Sequence, residues 1–145
     1  MTRSLMALLF LALAACNPTP GSPALYKDRA MQNAVAEARA ALPVFFEAWQ
    51  SEGASYSDFR VTVIMPSSAY GRDYEELSNI RREFAGFIGE TSGGEEVPFL
   101  VADIADWRFL EGEKYRGGYT RRVMFDMTDA DIPALRAQFH EEPLP

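Results

Sequence analysis

The chain has 145 residues and a mass of 16.2 kDa, which allows one domain and disfavours two. Hydrophobic residues make up 48%, enough for a packed core, and the net charge of −7 argues against binding nucleic acid or adhering electrostatically to anionic lipid. One Cys and one His exclude both a Cys/His zinc cage and an internal disulfide.

Residues 1–15 read as a removable signal. Arg3 supplies a positive start and Leu5 to Ala14 an uncharged apolar run, about half the length a membrane-spanning helix needs. The run ends in Leu13-Ala14-Ala15-Cys16, which resembles a bacterial lipobox. That resemblance implies that Cys16 becomes the first mature residue and carries fatty-acyl chains such as palmitate. One chain anchors only marginally, and two or three anchor stably. Loss of Arg3 leaves the mature chain one unit more acidic. Asn17 after the Cys, by the same resemblance, favours the outer membrane, on the periplasmic side, over the inner. Residues 16–26 are the acylated Cys and a Pro-rich tether. Pro18, Pro20 and Pro23 favour polyproline II, so that residues 17–25 reach roughly 25–30 Å.

Residues 27–145 form the single folded domain. Met31, Val35, Ala38, Leu42, Phe45 and Trp49 recur at steps of three and four, the apolar face of a helix. Asp28 is placed to cap it. Pro43 interrupts it, which predicts a kinked helix, or two helices sharing a face, over about 28–51. After a polar loop from Ser51 to Asp58, the residues Phe59, Val61, Val63 and Met65 alternate with Arg60, Thr62 and Ile64, a strand pattern closed by Pro66-Ser67-Ser68.

The stretch 71–90 supports two patterns. Tyr74, Leu77, Ile80 and Phe84 fit a helix, whereas Phe84, Phe87 and Ile88 with Gly86 and Gly89 fit a strand with bulges. Gly93-Gly94 marks a turn. Val97 to Ile104 is β-rich, and Pro98 points to a sheet edge or a strand start. Trp107–Leu110 and Lys114–Arg116 flank Glu111-Gly112-Glu113 as a hairpin. Gly117-Gly118 is expected to be a bulge and Tyr119 to Phe125 a further strand. Thr128 to Asp131 reads as a capping box opening a last helix to about Phe139. The expected fold is α+β: a kinked N-terminal helix, a mainly antiparallel sheet of about five to six strands and a short C-terminal helix.

Ile104-Ala105-Asp106-Trp107-Arg108-Phe109, Lys114 and Gly117-Gly118-Tyr119-Thr120-Arg121-Arg122-Val123 together resemble the signature of the YegJ-like family, a bacterial domain of unknown function. The segments Ala38 to Phe46 and Phe59-Arg60-Val61 are similar to it as well, so the resemblance spans about residues 31–139. It implies two strands within 74–89 and carries no activity. The family's Glu-His-x-Trp-like strand is missing, because the matching region reads Tyr74-Glu75-Glu76-Leu77-Ser78-Asn79-Ile80.

No nucleophile elbow, P-loop or dinucleotide fingerprint occurs, and His140 reads as a surface residue. Asp126, Asp129 and Asp131 read as acids favoured at a helix N-terminus rather than as a Ca²⁺ site. Glu75-Glu76 and Glu95-Glu96 read as solvated faces. No catalytic residue, metal or cofactor is assigned. The residues chosen as a binding site are Asp106, Trp107, Tyr119 and Arg122, expected on adjacent strands, where two aromatics beside an Asp–Arg pair suit recognition. Otherwise the aromatics are core and the Asp–Arg pair fixes strand register. The expected function is non-enzymatic. On this reading an acidic lipoprotein domain binds a protein or cell-wall partner through that face, and a role as inhibitor of, or immunity factor against, a cationic protein is one version. Trp107→Ala and Arg122→Ala are then expected to abolish capture with the fold intact. The rival is a carboxylate-dependent hydrolase of the cell wall or of a small substrate. The first expectation to check is the anchor: polypeptide isolated from its native cells should begin at an acylated Cys16 by intact mass, and a chain starting at Met1 with a free thiol in the soluble fraction overturns it.

Overall fold

The structure, a computed structural model, describes residues 28–51, 55–67, 71–127 and 132–145. The signal, Cys16, the tether and the expected capping box at Thr128–Asp131 lie outside these residues. No described helix is long and apolar enough to cross a membrane.

The N-terminal apolar stripe forms two helices, α1 (Arg29–Ala40) and α2 (Leu42–Gln50). Asp28 caps α1, its Oδ1 accepting from the Ala30 N–H at 2.7 Å. Pro43 sits in the first turn of α2, where its missing N–H costs no helical bond. The stripe stays in phase across the break, so Met31, Ala34, Ala38, Leu42, Phe45 and Ala48 are all buried.

Six strands follow: β1 (Tyr56–Ser67), β2 (Gly71–Glu83), β3 (Gly86–Glu90), β4 (Glu96–Phe99), β5 (Ile104–Glu111) and β6 (Lys114–Gly117). They form one antiparallel sheet of order β4-β3-β2-β1-β5-β6. The region 71–90 therefore holds two strands, as the family resemblance implied, and the helical spacing of Tyr74, Leu77, Ile80 and Phe84 is incidental. Val97 to Ile104 is not one strand. The Asp103 carboxylate accepts from the Leu100 N–H at 2.8 Å, closing a 3₁₀ turn at Val101–Asp103 between β4 and β5.

Alternation along β1, β2 and β5 sends Val61, Val63, Leu77, Trp107 and Phe109 to one face, against α1 and α2. Trp107 is the centre of this core. Its ring lies 5.7 Å from Phe45, 5.9 Å from Phe109 and 5.7 Å from Tyr119. Its indole N–H donates to the Ala38 carbonyl at 2.8 Å, in the last turn of α1, where helical carbonyls run out of donors.

The expected strand Tyr119–Phe125 is a helix, α3 (Tyr119–Met127). The expected bulge at Gly117-Gly118 is the turn that produces it. Both glycines have positive φ, +74° and +69°. A Cβ on Gly117 would stand 2.2 Å from the Trp107 carbonyl oxygen and 2.6 Å from its ring. The chain thus turns off β6 flat against Trp107, the Gly118 N–H donates to the Trp107 carbonyl at 2.8 Å, and the helix starts at once. The last helix, α4 (Ile132–Arg136), ends before the expected Phe139. Beyond it, residues 138–143 run beside β6. The Tyr115 N–H donates to the Gln138 carbonyl, the His140 N–H to the Tyr115 carbonyl and the Gly117 N–H to the Pro143 carbonyl. This covers one sheet edge.

Substituting Gly117→Ala is expected to cost about 3 kcal/mol or more, from the left-handed backbone plus overlap with Trp107. Urea unfolding measures it; a change below about 1 kcal/mol contradicts the turn geometry.

Candidate functional site

The four residues singled out from the sequence do come together, but not on adjacent strands and not in the open. Asp106 and Trp107 lie on β5, Tyr119 and Arg122 on α3. Trp107 is 1% exposed, Asp106 2% and Tyr119 7%. A partner has no access to the indole, and Trp107→Ala would empty the middle of the core, at about 3–5 kcal/mol. Capture and folding are not separable at that residue.

Asp106 does not pair with Arg122. A bulge in β5, where the partner of Thr62 is Asp106 and that of Val63 is Ile104, leaves Ala105 unpaired and breaks the alternation. Asp106 Oδ1 accepts from the N–H groups of Trp107 (2.8 Å) and Tyr119 (3.1 Å). Oδ2 accepts from the Thr120 N–H (2.8 Å) and hydroxyl (2.5 Å). The carboxylate is an N-cap for α3 supplied from a neighbouring strand, since Gly118 has no side chain to do it. Burial pushes its pKa above the ordinary range, with the four donors opposing. Arg122 instead holds the C-terminal segment. Its Nε donates to the Gly117 carbonyl at 2.9 Å and its Nη1 to the carbonyls of His140 and Glu141, with the guanidinium over the Phe139 ring.

The sheet face turned away from α1 and α2 carries a second constellation. Thr62 lies across from Glu76 on β2 and from Asp106 on β5, and Arg60 lies directly opposite Arg108. Two like charges across a pair repel. Glu76 resolves this. Its Oε1 accepts from Arg108 Nη2 (2.8 Å) and Arg60 Nη1 (3.2 Å), and its Oε2 from Arg121 Nη2 of α3 (2.8 Å). Arg108 also stacks on Tyr115, 4.4 Å from the ring centre. Tyr115 donates its hydroxyl to Asp58, whose other oxygen accepts from Arg60 Nε at 2.8 Å. Asp58 sits at positive φ in a bulge of β1, which aims its side chain at both partners.

Glu76 is thus not the freely solvated acid its neighbourhood in the sequence suggested. Burial works to raise its pKa, but the charges and hydrogen bonds of Arg121 and Arg108 outweigh burial and hold it below the ordinary carboxylate range. Burial likewise raises Asp58, and Tyr115 and Arg60 bring it lower. The arginines missed in the sequence, Arg60 and Arg108, had one visible signal: each alternates with core residues on a strand, so each must face away from the core. That β2 delivers Glu76 between them depends on register. Glu95 and Glu96 are exposed as expected. Of the aspartate trio, Asp126 pairs with Arg136, and Asp129 and Asp131 lie outside the described residues.

Glu76 and Asp106 both line a small dent with Arg60, Thr62, Arg108 and Arg121. Two carboxylates with opposite pKa shifts are the pattern of an acid–base pair. The dent, however, has no room for a water-sized molecule, and both oxygens of Asp106 are occupied. The arrangement is a fixed array of charges.

Because the Glu76 pKa is lower folded than unfolded, its stabilisation is complete above the unfolded value, near 4.3, and disappears as pH falls through the folded value. Glu76→Gln is expected to cost about 2 kcal/mol at pH 7 and to flatten the acid limb of the stability curve below pH 4.5. Urea midpoints between pH 2.5 and 7 measure both, and an unchanged acid limb contradicts the assignment.

Residues 28–141 match the family model described as an uncharacterized protein conserved in bacteria, DUF2314. No curated protein and no solved structure matches the chain. The match spans both the Asp106 cap and the Glu76 array, and it covers well over half of the sequence. The chain belongs to the bacterial DUF2314 family.

Proposed function

We propose that the chain is a lipid-anchored binding domain of the bacterial envelope, non-enzymatic, that recognises a protein or cell-wall partner through the sheet face carrying Arg60, Glu76, Arg108 and Arg121. Within the family it belongs to the YegJ-like group that the Asp-Trp and Gly-Gly-Tyr-Thr blocks resemble. Acylated Cys16 holds it at the outer membrane, facing the periplasm.

The observation that carries this is the preorganised charge array. Three guanidiniums are fixed around one carboxylate on the face that α1 and α2 leave open, and Arg60 and Arg121 keep over a third of their side-chain surface in solvent. Binding to groups already held in place loses little conformational entropy. The acidic body, −7 over the whole chain, attracts at long range a partner that is basic overall, as an inhibitor or immunity role requires, while at contact the three arginines around Glu76 take up an acidic group of that partner. The dent too small for water supports this reading over the hydrolytic one, because a hydrolase needs space for substrate and water between its carboxylates.

Crosslinking in intact envelopes, followed by pull-down and mass spectrometry, tests it. Arg60→Ala with Arg121→Ala is expected to reduce a specific crosslinked partner at least tenfold while the far-UV circular dichroism is unchanged. Equal capture by the double variant, or no partner crosslinked to this face, overturns the proposal.

A further inference from the structure

At the other end of the sheet Phe84 is fully exposed at the tip of the β2–β3 turn, and Leu100 and Val101 are exposed just after β4. A large aromatic in full contact with water is uncommon, and three apolar side chains at adjacent loops mark a contact surface. Phe84, Ala85, Pro98 and Leu100 border one groove of about 400 Å³.

Two features decide what covers it. The edge strand β4 is four residues long and contains Pro98, which removes a backbone donor, so addition of a strand from another chain is disfavoured. The second feature is reach. Arg39, in the last turn of α1, donates to the carbonyls of Ile104 (2.9 Å) and Ala102 (3.3 Å), which puts the patch at the C-terminal end of that helix. α1 has twelve residues and so a length of about 18 Å. The nine residues 17–25 amount to a maximum reach of about 30 Å of chain, enough to span the height of α1 and let its far end rest on the bilayer that holds Cys16. Around the patch Glu83 and Glu96 are both paired with Arg81 and Asp103 accepts from the Leu100 N–H, so the rim offers no cationic cluster to anionic headgroups and suits a zwitterionic surface.

We propose that Phe84, Leu100 and Val101 seat the domain on a zwitterionic bilayer, the one in which the acyl chains of Cys16 are inserted. This rests on the lipid-anchor reading above. Tethering raises the local concentration of the surface, so a contact too weak to bind vesicles by itself is occupied most of the time. The seat also orients the molecule. The Glu76 array lies on the sheet face turned away from α1, and the β3–β4 turn, at the opposite end of β3 from Phe84, points away from the lipid.

The test uses the full chain, expressed with its signal and purified as the acylated protein. Acylation consumes the one Cys of the sequence, so Ala85→Cys provides a single thiol for a nitroxide, and Ser92→Cys on the exposed β3–β4 turn provides the reference. In phosphatidylcholine vesicles the label at 85 is expected to favour collision with dissolved oxygen over a nickel chelate at least fivefold more than the label at 92. Adding Phe84→Asp should abolish that difference. Equal accessibility at the two positions in acylated, vesicle-bound protein overturns the seat. A label at 85 shielded from both probes, with a short copy-to-copy spin distance, shows a second chain on the patch and also overturns it. Intact mass lacking acyl chains on Cys16 defeats the anchor reading instead, and the seat with it.

Discussion

The indole of Trp107 is the point through which the elements of this domain are held in one arrangement. Its ring is packed by Phe45 of α2, Phe109 of its own strand and Tyr119 of α3, and its N–H is bonded to the Ala38 carbonyl of α1. Its backbone carbonyl takes the Gly118 N–H, and Gly117 lies so close that only a residue without Cβ fits. A buried aromatic of this size contributes several kcal/mol by packing alone. Here that packing also fixes direction, because the strand leaving Trp107 and the helix returning to it meet at a turn with no steric freedom.

Asp106 is the polar counterpart of the same device. The bulge at Ala105 brings its carboxylate beneath the start of α3, where unpaired N–H groups concentrate partial positive charge. One side chain therefore satisfies donors that the turn itself leaves open. Trp107 and Asp106 are adjacent in sequence and face opposite sides of the sheet, so one dipeptide locks α3 from both. The family match over 28–141 contains both, together with the paired glycines.

With helices on one face, the other face is free to carry charge. Arg60 opposite Arg108 is an unfavourable pair unless an anion lies between them, and Glu76 is that anion. Arg121 adds a third cation from α3, so the helix that Trp107 and Asp106 fix also completes the array. Core, cap and charged face are in this way one assembly. A seat of Phe84, Leu100 and Val101 on lipid would turn that face in a constant direction relative to the membrane, which is what a tethered binding domain requires to meet a partner productively.

The chain by itself determined the class of fold and much of its outline. Periodicity placed the two N-terminal helices, Asp28 as their cap, the first strand and the hairpin around Gly112, because local apolar spacing and turn chemistry decide these elements. The resemblance supplied the two strands within 71–90, where spacing alone fitted a helix equally well. Tyr119 to Phe125 has the pattern of a strand, but the forces that make it a helix, the Asp106 carboxylate and the contact of Gly117 with Trp107, come from a strand ten or more residues earlier. The same holds for the site. Asp106, Trp107, Tyr119 and Arg122 were legible as a cluster, but composition gives no sign of which side of a sheet is covered, so their burial was not. Glu76 was read as solvated because its partners Arg60, Arg108 and Arg121 are distant in sequence and meet it only through strand register and helix placement. Register is a property of pairing between segments, and no single segment contains it.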